Sequence, residues 1–356
     1  MKLQLVEFIK SNPDWEQKLS EAPYYITIKR KDNFILFEYS QINSDFYNPI
    51  VKECRGIILD NAFNPVCVPF YKFGNYGEGY VDALDWNSAR VQEKVDGSLI
   101  KVWNYNDEWH ISTNGTIDAK DAGMVDSSPY KSFYDLFMEA ANNSKLYLWN
   151  LEPDYTWMFE LISPYNPVVV PYTEVSVRHI GTRNIHTLEE CDIDIGIKKP
   201  KQYNFKSLEE CITMASELPF TEEGYVVVDK QWHRNKVKSP AYVAVHHLKN
   251  NGMVTNSRIV KLIRENEHEE FLTYYPEFNE IFEKVQNRIN EFIITMDKEI
   301  LRVGAYEIGT RGDFAKLAKQ TICPPVLFDW LDRKCKNAKE WLWEQTDENI
   351  LDWTGD

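Results

Sequence analysis

The sequence EKVDGSL at residues 93–99 places a lysine, Lys94, two residues before an aspartate and three before a glycine. Strand-type sequence lies on both sides, at Ala89 to Gln92 and in the branched and aromatic run 99–105. We therefore expect Lys94 in a tight loop between strands, where Gly97 lets a ligand approach the backbone. A lysine held there with little water around it can lose its proton and attack phosphorus. Taken alone the motif is more typical of a solvated surface turn, so the functional interpretation needs support from other residues.

A carboxylate stands in the middle of a second hydrophobic run. Thr156–Ile162 has the pattern of a buried strand, and Glu160 lies inside it. A buried carboxylate without a partner is costly, so Glu160 should face a cation, a metal ion or strong hydrogen-bond donors. A structural partner such as an arginine would meet the same need, and both interpretations remain open from this strand alone.

Further charged residues lie at the ends of other predicted strands. Glu223 and a glycine open one apolar run, and Lys236 and Lys238 lie on the strand that follows. Residues two apart in a strand share a face, so these two ammonium groups repel each other unless an anion lies between them or water surrounds an edge strand. Arg55 precedes another apolar run, where it is suited either to clamp a phosphate or to form an ion pair at the strand end.

The chain is acidic, and this limits the partners that it can bind. Its 356 residues carry a formal net charge of −15, which argues against a general binder of polyanions, because phosphate contacts need lysine and arginine. The charge still allows a local basic groove. The densest basic clusters are Lys198–Lys201, with Lys206 close behind, and Arg234–Lys238. A solvated loop is the alternative for the first cluster.

Cysteine usage and hydropathy predict the compartment. The six cysteines are scattered without a C-x-x-C pair, which favours reduced thiols in a cytosolic protein and argues against a zinc site. No stretch resembles a transmembrane span, and the first ten residues lack a signal-peptide cleavage site, so we read them as mature sequence. We therefore expect a cytoplasmic protein with no membrane partner.

The length and a change of pattern predict two domains. Residues 1–245 mix strand and helix patterns. Beyond them, apolar residues recur at helical spacing, for example at Ile259, Leu262 and Ile263. We therefore predict an α+β domain over residues 1–245, followed by an all-helical domain over residues 246–356.

The charged motifs occur in a fixed order that resembles the covalent nucleotidyltransferase superfamily, which includes polynucleotide ligases and mRNA capping enzymes. The order is Lys94-x-Asp-Gly, Glu160, Glu223-Gly and Lys236-x-Lys238. The upstream sequences ECRG at 53–56 and KF at 72–73 look most like the RNA ligase 1 family, the tRNA-repairing ligases of bacteriophages. Recognisable motifs cover residues 50–245, and the tail matches only in layout. The resemblance implies a nucleotidyltransferase (ATP-grasp-like ligase) domain of antiparallel sheets with helices, followed by a helical domain that positions RNA.

The resemblance also implies how the cations act. Lys94 matches the nucleophile that attacks the α-phosphorus of ATP and forms a lysine–AMP phosphoramidate. Arg55 and Lys72 match residues that contact the triphosphate or the phosphates of the acceptor strand. Lys236 and Lys238 match the lysine pair that holds the α-phosphate. In-line attack builds charge on the phosphate oxygens, which such cations stabilise.

The remaining matched positions concern the nucleotide and a metal ion. Glu160 matches a strand glutamate near the ribose and the metal, and Glu223 matches the second metal-site carboxylate. Val226 is expected beneath the adenine, and Glu93 is expected to be one of the nucleotide-binding residues. Mg²⁺ (or Mn²⁺) fits two carboxylates and phosphate oxygens. Asn114 departs from the pattern, because the family has a basic residue there, which leaves one phosphate contact in question.

The function implied by the resemblance is an ATP-dependent RNA ligase. It would join RNA 3′-OH and 5′-phosphate ends through lysine–AMP and RNA-adenylate, repair cleaved tRNA, act as a monomer, and lie in the host cytoplasm if phage-encoded. A DNA ligase or an mRNA capping enzyme would use the same lysine, but both usually carry a β-barrel domain where this sequence turns helical. A relative that binds RNA without catalysis is the third alternative, and the retention of every charged motif residue argues against it.

Overall fold

The computed structural model describes residues 2–125, 128–247, 255–304 and 310–355. The chain divides into two compact units, Met1–His246 and His247–Asp356. None of the helices in the described residues has the length and apolar content needed to cross a membrane.

Thirteen strands are found in the described residues, all in the first unit. In chain order they are β1 (Ile26–Lys31), β2 (Phe34–Tyr39), β3 (Arg55–Asp60), β4 (Pro65–Cys67), β5 (Arg90–Glu93), β6 (Ser98–Tyr105), β7 (Glu108–Ser112), β8 (Tyr155–Ile162), β9 (Ser176–Asn184), β10 (Glu190–Cys191), β11 (Gln202–Tyr203), β12 (Gly224–Val228) and β13 (Arg234–Lys238). They form three sheets with the orders β1-β2-β3-β4, β10-β9-β8-β6-β7 and β11-β5-β12-β13. Every pairing between these strands is antiparallel.

Six helices accompany the sheets and seven follow them in the described residues. The first six are α1 (Gln4–Ser11), α2 (Trp15–Ser20), α3 (Pro49–Glu53), α4 (Phe133–Asn143), α5 (Leu208–Ser216) and α6 (Pro240–His247). The others are α7 (Asn256–Arg264), α8 (His268–Tyr274), α9 (Asn279–Gly304), α10 (Arg311–Ala318), α11 (Pro324–Leu331), α12 (Ala338–Trp343) and α13 (Asp347–Thr354). The predicted α+β fold of antiparallel sheets, with a helical C-terminal region, is confirmed.

Successive side chains of β8 and β12 point to opposite faces of their sheets, and only one of these faces packs into a hydrophobic core. In β8 the side chains of Phe159 and Leu161 are fully buried and pack with residues of α4. Glu160, between them, points to the opposite face of the sheet. In β12, Tyr225 and Val227 pack into a core with α5, which leaves Val226 on the other face. The alternation of side chains therefore places Glu160 and Val226 on the sheet faces that point away from these cores.

The second unit is built around α9, whose 26 residues carry one apolar stripe. Its buried residues recur every three or four positions and are Phe282, Val285, Ile289, Phe292, Met296, Ile300 and Val303. Helices α7, α11, α12 and α13 pack against α9. This stripe is the helical spacing seen in the sequence, and its burial accounts for the stability of an all-helical unit.

Candidate active site

Lys94 lies in the four-residue loop between β5 and β6, as the sequence predicts. Its backbone N–H donates to the carbonyl of Gly224 at 2.9 Å, which ties the loop to β12. Gly97 lines the same cavity as Lys94. A Cβ on Gly97 would lie 2.5 Å from the carbonyl oxygen of Leu161, so the close approach of β8 by itself requires glycine here.

The aspartate of this loop is a structural anchor. Asp96 is 4% exposed, and its Oδ2 accepts hydrogen bonds from the backbone N–H groups of Val169 and Val170 at 2.9 and 2.7 Å. Its Oδ1 accepts from the hydroxyl of Tyr242 at 2.9 Å. The carboxylate thereby fastens the Lys94 loop to α6 and to the segment before β9, and its oxygens are occupied by protein donors.

One cavity collects most of the residues that the sequence singles out. Six of the nine predicted site residues line it, namely Arg55, Glu93, Lys94, Glu160, Val226 and Lys236, and so does Asn114. The cavity is also lined by Phe70, Phe73, Gln92, Val95, Gly97, Leu99, Ile180, Pro200 and Arg234. Lys72, Glu223 and Lys238 are not among the lining residues.

Glu223 nevertheless contacts the lysine. Lys94 Nζ lies 2.7 Å from Glu223 Oε2, and Lys238 Nζ lies 3.9 Å from Glu223 Oε1. The next residue, Gly224, has a φ of +136°, and a Cβ there would lie 2.2 Å from the carbonyl oxygen of Val237. Only glycine fits this position, and it turns the chain so that the buried Glu223 meets both lysines.

The charges around Glu160 explain how the strand tolerates a carboxylate. The pKa of Glu160 is raised to about 7, mainly because the carboxylate is buried. The nearby carboxylates Glu223 and Asp96 raise this pKa further, and the nearby cations Lys94 and Arg55 lower it. Lys94 and Arg55 thus lie near Glu160, although neither forms an ion pair with it in the described residues. A second carboxylate close by makes this place favourable for a bound cation as well.

Several cations surround Lys236. Burial is the main reason why the pKa of Lys236 is held well below its usual range, and four neighbouring cations add to it: Lys72, Lys238, Lys94 and Arg55. Although β13 is an edge strand, the Lys238 side chain is only 12% exposed. Water therefore does not screen the lysine pair as it would on an exposed edge, and an anion between them would relieve the repulsion.

Arg55 is a buried donor in need of an acceptor. Its Nη1 is buried and makes no hydrogen bond within the described residues, where Arg55 also forms no ion pair. The guanidinium carbon lies 5.1 Å from the centre of the Phe73 ring. The ion pair considered from the sequence is therefore wrong for the described part of the chain. A phosphate oxygen would satisfy this donor.

Lys72 is held away from the cavity. Its ammonium lies 4.5 Å from the centre of the Phe46 ring and 5.2 Å from that of Tyr39, and it donates to Gln41 Oε1 at 3.3 Å. Its charge still reaches the site, because it lowers the pKa of Lys236. A direct phosphate contact by Lys72 stays a prediction.

The sequence reasoning missed an arginine and two aromatic side chains. Arg234 pairs with the buried Glu190 at 2.5 Å, and its guanidinium carbon lies 4.1 Å from the Phe70 ring centre. The sequence marked Arg234 only as part of a basic cluster, and Phe73 only as the neighbour of Lys72. No local pattern predicts these contacts, because Phe70 and Arg234 come from distant segments.

Lys101 was also missed, although the sequence carried a signal for it. This lysine of β6 is completely buried and donates to the carbonyl of Gly56, and burial lowers its pKa to about 8. Gly56 follows Arg55 and packs closely against Asn114, since a Cβ on Gly56 would lie 2.4 Å from the Asn114 carbonyl oxygen. By binding the carbonyl of Gly56, Lys101 fixes the backbone next to these two cavity-lining residues. A lysine inside an apolar strand is costly to bury without a partner, for the same reason as the carboxylate of Glu160.

A family model described as RNA ligase matches residues 53–242, more than half of the chain. The chain belongs to the RNA ligase 1 family. The resemblance stated from the motifs is thereby confirmed, and the match spans every residue of the cavity.

Two relatives extend the comparison. A protein named as a bifunctional polynucleotide kinase/RNA ligase from Autographa californica nuclear polyhedrosis virus is 32% identical over 279 residues, covering 73% of this chain and 40% of that protein. The chain thus spans two fifths of the length of this relative. An RNA ligase of Rhodothermus phage RM378 is 25% identical over 349 residues, covering 77% of this chain and 79% of that protein. The match to the solved structure of an archaeal ATP-dependent RNA ligase covers 88% of both chains at 12% identity, with a TM-score of 0.45.

Proposed function

We propose that this chain is an ATP-dependent RNA ligase that joins RNA 3′-OH and 5′-phosphate ends through a lysine–AMP intermediate on Lys94. The observation that carries the proposal is the contact of 2.7 Å between Lys94 Nζ and Glu223 Oε2 beside a cavity lined by Arg55 and Lys236. Nucleotidyl transfer to lysine needs a nucleophile, a proton acceptor and cations for the phosphates, and this arrangement supports assigning those roles to Lys94, Glu223, and Arg55 with Lys236.

In the first step a bond forms between Lys94 Nζ and the α-phosphorus, and the bond from that phosphorus to the bridging oxygen breaks, so that pyrophosphate leaves. Lys94 gives up a proton, and Glu223 Oε2 is the acceptor at hand. The guanidinium of Arg55 and the ammonium of Lys236 supply positive charge toward the phosphate oxygens. Val226 offers an apolar surface for the base.

The later steps use the same cavity. An oxygen of the RNA 5′-phosphate attacks the phosphorus of the lysine-bound AMP, and the Lys94–phosphorus bond breaks to give RNA-adenylate. The 3′-hydroxyl of a second end then attacks the 5′-phosphorus, loses its proton and displaces AMP, which seals the strand.

Glu160 and Glu223 would hold a divalent ion, Mg²⁺ or Mn²⁺. Glu160 lines the cavity and Glu223 lies near enough to raise its pKa, a pair that fits an ion that takes one or two protein carboxylates and completes its shell with water and phosphate oxygens. The described residues contain no group of three or more His, Cys, Asp or Glu suited to hold a metal by themselves, so the nucleotide would supply the remaining ligands. When bound, the ion neutralises charge on the phosphates.

The proposal favours RNA over the other substrates of the superfamily. No strand follows β13 in the described residues, so these residues form no β-barrel of the kind that DNA ligases and capping enzymes usually carry after the lysine pair. Repair of cleaved tRNA, RNA positioning by the helical unit, a monomeric state and a cytoplasmic location stay predictions.

The deciding experiment is incubation with α-labelled ATP and Mg²⁺, followed by denaturing electrophoresis. Label should remain on the protein, and both Lys94→Ala and the charge-preserving Lys94→Arg should abolish it. Lys120→Ala, at an exposed lysine, is the matched control and should label like the wild type. Undiminished label on either Lys94 variant would overturn the assignment.

A second experiment separates the nucleic acids. With ATP, single-stranded RNA carrying a 5′-phosphate should be joined or circularised, and nicked duplex DNA should be a poor substrate. Efficient sealing of the DNA nick without RNA joining would favour the DNA ligase alternative. Formation of the lysine adduct without joining of any strand would limit the proposal to its first step.

A further inference from the structure

The segment Lys198–Lys206 starts at the cavity and leaves it along a sheet edge. Pro200 lines the cavity, and the carbonyl of Lys201 accepts a hydrogen bond of 2.7 Å from the backbone N–H of Glu93, the residue before Lys94. The chain then forms β11, the outer strand of its sheet. The segment therefore connects the reactive lysine with the surface of the first unit.

This segment carries cations that the protein does not neutralise. Lys198, Lys201 and Lys206 are exposed, and none of them forms an ion pair within the described part of the chain. Lys199 is different, since it pairs with Asp192 at 2.6 Å. In a chain with a net charge of −15, three unpaired lysines within nine residues make a local attraction for an anionic ligand.

Glu210 does not cancel this charge. Its Oε2 accepts a hydrogen bond of 2.7 Å from the backbone N–H of Lys206. The ammonium of Lys206 donates instead to the side-chain oxygen of Asn204. The charge of Lys206 thus remains available at the surface.

Aromatic rings lie between the lysines. A surface groove is lined by Trp86, Arg90, Tyr203, Phe205 and Lys206, among other residues. The rings of Tyr203 and Phe205 stack with centres 5.5 Å apart at 27°, and Lys201 Nζ lies 4.7 Å from the Tyr203 ring centre. Both rings are half-buried and pack against a core, which holds them rigid while part of each ring stays accessible.

We propose that Lys198–Lys206, together with Trp86 and Arg90, forms a binding track for single-stranded RNA along the outer edge of the third sheet, in a segment that meets the cavity at Pro200. The inference deepens the proposed function and rests on it. Lysines that follow a phosphate backbone, interleaved with rings on which bases stack, are the combination that binds single strands without reading their sequence. A duplex keeps its bases stacked on each other, so the rings give no advantage to double-stranded RNA.

The test measures RNA binding by fluorescence anisotropy without ATP. The probe is a labelled single-stranded RNA of twenty nucleotides with a 5′-phosphate, titrated at several salt concentrations. A single strand loses about 0.7 in the slope of log affinity against log salt for each phosphate contact removed, so the triple variant Lys198→Ala, Lys201→Ala, Lys206→Ala should lose about two. Its affinity should also fall at least tenfold at about 0.1 M salt.

The matched control removes equal charge elsewhere on the first unit. Lys10, Lys120 and Lys131 are also exposed, and Lys120 Nζ lies 4.6 Å from the Tyr134 ring centre, much as Lys201 lies over Tyr203. The control triple alanine variant should bind within twofold of the wild type. Equal salt slopes for the two triple variants would overturn the track.

The aromatic contribution has its own readout. Tyr203→Leu and Phe205→Leu keep an apolar side chain against the core, and each should weaken binding of single-stranded RNA severalfold while leaving duplex RNA unaffected. If these variants lose their fold, 4-thiouridine RNA cross-linked to the wild type replaces them. Cross-links to peptides from residues 198–206 support the track, and cross-links confined to other segments overturn it.

These readouts separate the two claims. Adduct formation on wild-type Lys94 tests the proposed function, and RNA binding without ATP tests the track. A chain that forms the adduct but binds RNA independently of the three lysines overturns the track alone. A chain whose RNA binding depends on the lysines but which forms no adduct overturns the ligase chemistry and leaves the RNA site in place.

Discussion

Lys94 and Glu223, which are far apart in the sequence, meet with Nζ and Oε2 2.7 Å apart. The register of the third sheet produces this contact, because Glu93 on β5 is paired with Tyr225 on β12. Lys94 follows Glu93, and Glu223 lies two residues before Tyr225. The pairing therefore brings both residues to the same end of the two strands. A slip of one residue would exchange the faces of β12 and place Val226 in the core, so pairing and site are specified together.

Glu223→Gln should weaken the transfer of AMP to Lys94 by at least about a hundredfold, the scale seen when a preorganised polar group is removed from a transition state. The substitution keeps the shape of the side chain but removes the charge that lies against Lys94 and Lys238. Labelling with α-labelled ATP measures the loss, and circular dichroism checks the fold. Glu222→Gln, at the exposed neighbouring residue, should label normally. Equal labelling of both variants would make Glu223 a merely structural partner.

Local sequence pattern was sufficient for the strands that carry most of the candidate site residues. The loop at Lys94, the strand around Glu160 and the edge strand of Lys236 follow from alternation and from the cost of burying charge. It could not supply the register that joins Lys94 to Glu223. Only the folded chain shows that the ammonium of Lys72 is enclosed by aromatic rings, because its partners come from separate segments.

Val226 and Val227 form a matched pair on opposite faces of β12. Val226 lines the cavity, and Val227 is fully buried in the core with α5. Val226→Ala should raise the ATP concentration for half-maximal labelling about tenfold, since two methyl groups at ~0.8 kcal/mol each are lost from the base contact. Val227→Ala should instead lower the free energy of unfolding by about 2 kcal/mol and leave the ATP requirement unchanged. An ATP effect confined to Val227→Ala would move the base elsewhere.

Asp96 and Tyr242 should be energetically coupled. A hydrogen bond to a carboxylate contributes about 1.5–3 kcal/mol, and theirs is 2.9 Å long and buried. The double-mutant cycle of Asp96→Asn and Tyr242→Phe, followed by denaturant unfolding, should give a coupling energy of about 1 kcal/mol or more. Tyr105→Phe paired with Asp96→Asn is the control and should be additive. Additivity of the first pair would show that the hydroxyl does not hold the Lys94 loop.

Because of Lys101, the free energy of unfolding should rise with pH between about 8 and 10.5. Its pKa falls from 10.5 to about 8 in the folded chain because it is buried. In that interval the unfolded chain binds a proton that the folded chain does not, so folding gains as the pH rises, and below about pH 8 the full cost of a buried charge is present. At about 1.4 kcal/mol for each pKa unit, the change across the interval approaches ~3 kcal/mol.

Lys101→Met isolates this contribution, because it removes the charge but keeps a long apolar side chain in β6. The variant also loses the hydrogen bond to the carbonyl of Gly56, a cost of about 1 kcal/mol that should vary little with pH. Denaturant unfolding at a series of pH values should therefore show the wild type gaining on Lys101→Met as the pH rises from about 8 to 10.5. Tyrosines and cysteines that titrate in the same range are shared by both proteins and cancel in the difference, except for Cys67, whose pKa is raised by burial and lowered by Lys101. Lys120→Met should keep a constant difference from the wild type, and an equally constant difference for Lys101→Met would mean that Lys101 titrates like an exposed lysine.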